Sequence, residues 1–110
     1  MTLKLDNGRV YIGEVDVDMF PNGRGAESYP NGKVLYKGQF KHGLKDGLGI
    51  FYYESGIEGY NGQFKDNFID GDGLLFYQTS GNLLFEGTFS KGNYVKGAFY
   101  FENGTVSEII

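Results

Sequence analysis

Glu14, Asp16 and Asp18 alternate through the stretch GEVDVD. On an extended strand this spacing sets three carboxylates on one face. Such a face could hold Ca²⁺ weakly or meet a basic patch on a partner. The regular oxygen ligands of a helix–loop–helix calcium site do not follow, because Phe20 stands at what would be the fifth position. A solvated strand face is the simpler expectation. Asp70 and Asp72 bracket a glycine and read as turn chemistry.

The remaining chemical candidates are thin. Nucleophilic catalysis needs a base beside its nucleophile. His42 is the only histidine, and it sits between Lys41 and Gly43 in an expected loop. One histidine and no cysteine leave zinc without a ligand set. A phosphate cradle needs a glycine loop leading into a helix. Gly47-Leu-Gly49 and Gly71-Asp-Gly73 lead into no helical pattern, and Gly32-Lys33 is followed by Val34 where a Walker loop carries Ser or Thr. Asn103-Gly-Thr105 fits a glycosylation acceptor, but without a signal peptide it is more simply a hairpin turn. No enzymatic activity, cofactor or metal is expected.

Composition narrows the classes further. Net charge is −4 and the lysines are dispersed, which removes the clustered basic footprint of nucleic-acid binding and weakens electrostatic docking on anionic membranes. The opening MTLKLDNGR lacks the apolar core of a signal peptide, and no apolar run reaches transmembrane length. A cytoplasmic setting is the default expectation.

The glycines then need a structural reason, and the chain repeats in a way that supplies one. An aromatic residue two before a glycine occurs at Tyr11, Tyr36, Tyr60 and Phe85, with spacings of 25, 24 and 25 residues. A second series at Gly25, Gly49, Gly73 and Gly97 keeps an interval of 24 throughout. A third, at Gly32, Gly56, Gly81 and Gly104, sits in turn-like segments such as YPNG and FENG.

Each unit divides into two strands. Period-two alternation puts Tyr36, Gly38 and Phe40 on one face and Lys37, Gln39 and Lys41 on the other. Short turns between strands force an antiparallel meander. Glycine inside a strand costs about 0.5–1 kcal/mol relative to alanine. Eight such positions approach the whole stability of a small domain, about 5 kcal/mol or more. A β-carbon at these places must therefore collide with something, and a neighbouring ring is the expected obstacle.

The segment from Tyr36 to Gly56 resembles a MORN repeat (membrane occupation and recognition nexus), with Tyr36, Gly38, Gln39, Phe40, Gly43, Gly47, Gly49 and Gly56 on the motif. The unit from Tyr60 is similar, with Asn67 in place of Gly43. The units from Tyr11 and Phe85 depart further: Val15 replaces the aromatic in one, and the other lacks the Gly-x-Gly pair. The resemblance implies an all-β fold without helices: a single elongated, twisted antiparallel sheet of stacked β-hairpins. One domain over residues 1–110 is expected, with half-repeats at both ends.

The resemblance also implies a scaffold that binds a partner protein, self-associates or docks at membranes. On the first reading, an aromatic, glycine-floored groove accepts a protein partner through Tyr36, Phe40, Phe51, Tyr60, Phe64, Tyr77, Phe85 and Phe99. The same rings are the candidates for the packed face. The alternative is a phospholipid-contacting module built on Phe20, Leu44 and Phe68, spaced by 24, with Tyr94 as a near equivalent. These could instead fold back over Ile50, Phe76 or Tyr100. The apolar C-terminal edge at Val106, Ile109 and Ile110 suggests a homodimer through strand pairing.

Overall fold

Turns that demand a left-handed residue set the hairpin spacing. In LDNG, YPNG, YESG and FENG the closing Gly8, Gly32, Gly56 and Gly104 have φ of 83°, 87°, 94° and 89°. Each donates its N–H to the carbonyl three residues back, over 2.9–3.1 Å. Asn7, Asn31 and Asn103 complete three of these turns by accepting the N–H two residues on. Asparagine and glycine are the residues that such geometry admits most cheaply.

The computed structural model describes residues 1–110. Its strands are β1 (Thr2–Lys4), β2 (Val10–Val15), β3 (Pro21–Ser28), β4 (Val34–Lys41), β5 (Leu44–Tyr52), β6 (Glu58–Lys65), β7 (Phe68–Phe76), β8 (Leu83–Ser90), β9 (Asn93–Tyr100) and β10 (Val106–Ile109). They form one antiparallel sheet in chain order, 46 × 26 × 18 Å overall, open at both edges and free of helices. This is the fold class that periodicity and family resemblance indicate.

A row of glycines crosses the sheet. Gly13, Gly25, Gly38, Gly49, Gly62, Gly73, Gly87 and Gly97 each stand opposite the next. The hydroxyls of Tyr11, Tyr36 and Tyr60 lie where β-carbons of Gly25, Gly49 and Gly73 would be. A β-carbon on Gly38 would fall 2.5 Å from the Cα of Gly49 and 2.9 Å from the Tyr36 hydroxyl. Rings are thus one obstacle, and the facing backbone is a second.

Burial follows from this arrangement. Tyr11, Tyr36, Tyr60 and Phe85 are fully buried. Phe40, Phe64 and Phe89 wedge between them edge to face, with centroids 5.0–5.6 Å apart. The result is one zigzag of rings along the long axis. Such pairs add about 0.5–1.5 kcal/mol each beyond the area they bury.

One charged group interrupts the ring face. Glu27 holds the register position that Phe51, Leu75 and Phe99 occupy in later units, opposite Tyr36. Its buried carboxylate lies 3.2 Å from Arg9 and 3.6 Å from Lys45. Successive hairpins are also tied by side chains: the hydroxyls of Tyr29, Tyr53 and Tyr77 donate to the carbonyls of Tyr52, Phe76 and Tyr100, 23 residues ahead each time.

Candidate interaction surface

Of the eight rings expected to line a groove, five are sealed in the sheet's packed face. Tyr36, Tyr60 and Phe85 are fully buried, Phe40 is 6% exposed and Phe64 7%. Phe51, Tyr77 and Phe99 are half-buried. The contact role expected for the first five is corrected to a core role. The physical reason is the edge-to-face wedge: each phenylalanine fills the gap between two consecutive row rings, so no slot remains for a partner's side chain.

The open surface is on the opposite face. Alternation sends the two neighbours of every row glycine there. A trough of about 530 Å³ runs over Gly13, Gly25 and Gly38, walled by Ile12, Arg24, Ala26, Lys37, Gln39 and Leu48. A second, of about 360 Å³, runs over Gly73 and Gly87 between Asp72, Leu74 and Glu86. Ile12 and Leu48 are 59% and 61% exposed.

The walls are held by a device that sequence reasoning missed. An irregularity between Gly38 and Phe40 takes the Gln39 backbone out of the β4–β5 ladder, while Gln39 stays paired with Arg24 of β3. The Tyr36 hydroxyl donates to the Gln39 carbonyl at 2.8 Å, and the Leu48 N–H donates to Gln39 Oε1 at 2.7 Å. Tyr60, Gln63 and Asp72 repeat the arrangement, as do Tyr11, Glu14 and Arg24. The available signal was the recurrence of Glu or Gln immediately after the row glycine, at Glu14, Gln39 and Gln63. Burial raises the Tyr36 hydroxyl well above its ordinary pKa and lifts that of Tyr60 to about 12, the hydrogen bonds to Gln39 and Gln63 opposing in part.

The carboxylate face expected at Glu14, Asp16 and Asp18 is not formed. β2 ends at Val15, with a register shift after Gly13, so Asp16 and Asp18 belong to the following loop. Asp16 caps that loop by accepting the N–H groups of Asp18 and Phe20. Its other oxygen lies 2.8 Å from His42 Nδ1. The Phe20 N–H bond, with smaller help from His42 and Asp18, holds the Asp16 carboxyl below its usual range against a desolvation penalty. The histidine thus ties the β4–β5 turn to the β2–β3 loop.

The apolar loop residues divide. Phe20, Leu44 and Phe68 remain substantially exposed at one long margin of the sheet, and a β-carbon on Gly43 would lie 3.5 Å from the Phe20 ring. Tyr94 is not their equivalent. It faces Phe89 as Ile69 faces Phe64, and it packs on Phe85 and Phe99 with centroids 4.7 Å away. At the C-terminal edge, Val106, Ile109 and Ile110 are exposed.

Backbone amides, mixed charges and scattered apolar side chains are exposed together on this face. No helix is long and apolar enough to cross a membrane. Comparison with protein families matches residues 36–58 and 60–81 to the MORN repeat, and residues 21–42 to the MORN repeat variant. Together these cover more than half of the chain. No curated protein matches it significantly.

Proposed function

Because the chain belongs to the MORN-repeat family, we propose that it is a non-enzymatic scaffold holding another protein against the glycine-trough face of its sheet. MORN repeats are known in protein–protein and membrane-associated scaffolds. The observation that carries the proposal is the contrast between faces: Tyr36 and Tyr60 are sealed, while Ile12 and Leu48 are more than half exposed beside bare backbone. Exposed apolar side chains flanked by charges are a common make-up for a protein contact. Of the eight rings, only Phe51, Tyr77 and Phe99 retain surface for a partner. A cytoplasmic setting belongs to the same proposal.

The test is affinity capture with three proteins: the native chain, Leu48→Glu and Phe64→Ser. Leu48→Glu is expected to stay folded by circular dichroism and to lose its partner. Phe64→Ser is expected to unfold. Capture unaffected by Leu48→Glu sinks the assignment of this face.

The exposure of Phe20 and Phe68, 53% and 51%, favours a second reading as a phospholipid-contacting module. Vesicle co-sedimentation by the native chain, lost in Phe20→Ser/Phe68→Ser, would establish it. No co-sedimentation with neutral or anionic vesicles would remove it.

A further inference from the structure

The charges on the trough face have an order. Taken strand by strand from β2 to β9, the residues flanking the glycine row contribute Glu14, then Arg24, Lys37, no charge on β5, no charge on β6, Asp72, Glu86 and Lys96. The signs run minus, plus, plus, none, none, minus, minus, plus. Read backwards with every sign inverted, the series is unchanged. Its midpoint lies between β5 and β6, where Leu48 and Ile50 stand opposite Gln63 and Asn61.

We infer that the partner on this face is a second copy of this chain, packed face to face about a twofold axis that runs along the strands between β5 and β6. The inference rests on the scaffold role proposed above and names its occupant. The axis sets β3 over the second copy's β8, β4 over its β7, and β2 over its β9. Arg24 then meets Asp72 and Lys37 meets Glu86, each diagonally across one strand on its own side of the glycine row, and Glu14 meets Lys96 directly. Each contact occurs twice, as an isologous interface requires. Leu48 and Ile50 of each copy lie over Gln63 and Asn61 of the other, so the middle is uncharged, with apolar side chains set among amides and the charges outside them.

Size and geometry agree. A face measuring 46 × 26 Å exceeds the roughly 800 Å² per partner of a standard interface. Twisted sheets stack with strands within about 30° of each other, which an axis along the strands permits. The opposite register, with both copies running the same way, would set Arg24 and Lys37 against their own kind. Charge order thus selects one alignment.

The experiment is sedimentation equilibrium on the full chain and two charge-reversed variants, Arg24→Glu/Lys37→Glu and Asp72→Lys/Glu86→Lys. The native chain is expected to approach twice its 12.3 kDa mass as concentration rises. Raised salt should weaken the dimer. Each variant is expected to remain folded and to lose self-association by on the order of a hundredfold. Mixed in equal amounts, the two variants are expected to form a heterodimer, because every reversed contact becomes attractive again.

A native chain that stays monomeric at millimolar concentration overturns the second-copy assignment. So does a dimer indifferent to both reversals, and so does a mixture that stays monomeric. Partner capture with Leu48→Glu separates the two levels. A monomeric native chain whose capture is lost in Leu48→Glu overturns only the identity of the occupant. Capture unaffected by Leu48→Glu overturns the docking role of the face itself.

Discussion

The hydroxyl of Tyr36 lies over Gly49, in the space that a β-carbon at Gly49 would claim. The same relation joins Tyr60 to Gly73 and Tyr11 to Gly25. Glycine at these places is a cavity filled from the neighbouring strand, and its backbone entropy cost is met by ring burial.

Gly49→Ala should therefore destabilise by about 2–3 kcal/mol or more, because overpacking a rigid ring against backbone has no cheap relaxation. Gly56→Ala is the control. It has open space around it and φ of 94°, so only left-handed strain of about 1–2 kcal/mol applies. Urea unfolding of both variants checks the order, and a Gly56→Ala more damaging than Gly49→Ala would refute the ring-over-glycine account.

Phe64→Ser removes a ring wedged between Tyr36 and Tyr60 at centroid distances of 5.0 and 5.1 Å. A loss of about 3–5 kcal/mol is expected, the usual size for deleting a buried aromatic. Loss of the folded far-ultraviolet spectrum at moderate temperature is the readout.

Alkaline pH should unfold the protein through its buried hydroxyls. The folded-state pKa of Tyr60 is raised to about 12 from 10.0, and that of Tyr36 is raised further. The unfolded chain ionises first, so this stability is complete below pH 10 and is lost progressively as pH climbs through the folded-state values. Tyrosinate absorbance should show early and late classes, the late one coincident with unfolding. A single titration near pH 10 with the fold intact would contradict it.

These outcomes also show what could be read from residue types. The units, the strands and the pairing of Tyr36 with a distant glycine follow from spacing, since a strand has only two sides. Which side stays open does not follow. That depends on Phe40 and Phe64 reaching across strands into gaps whose width is set by sheet curvature. The three-carboxylate face failed because the shift after Gly13 ends β2 before Asp16. Tyr94 was misplaced because the residue missing from the last unit lies within β9, between Tyr94 and Gly97, and not in the turn, so Tyr94 faces Phe89 as Ile69 faces Phe64.

Glu27 offers a sharper test of repeat logic. Glu27→Gln leaves Lys45 facing a neutral amide and should cost up to about 3 kcal/mol. The double change Glu27→Phe/Lys45→Ile copies Phe51 and Ile69 of the next unit into the same register. It should be neutral or stabilising by about 1 kcal/mol. Thermal midpoints of the three proteins decide it, and a double variant weaker than Glu27→Gln would count against equivalence of the units.

Asp16 should make one loop acid-sensitive. Its carboxyl is held below the usual value, so the loop order it provides is present above the ordinary aspartate range and fades as pH falls through the lowered value. Asp16→Ala is expected to speed amide exchange at Asp18 and Phe20, whose N–H groups it accepts, while leaving β6 and β7 unchanged.

The bonds from Tyr29, Tyr53 and Tyr77 to carbonyls 23 residues ahead make each hairpin the template for the following one. Span is then graduated like a ruler, in two-strand increments of roughly 9.6 Å. Insertion or excision of a whole unit keeps every ring above its glycine, whereas an odd strand would turn the next ring toward the wrong side. Distance along this molecule is a heritable quantity that changes only by whole notches.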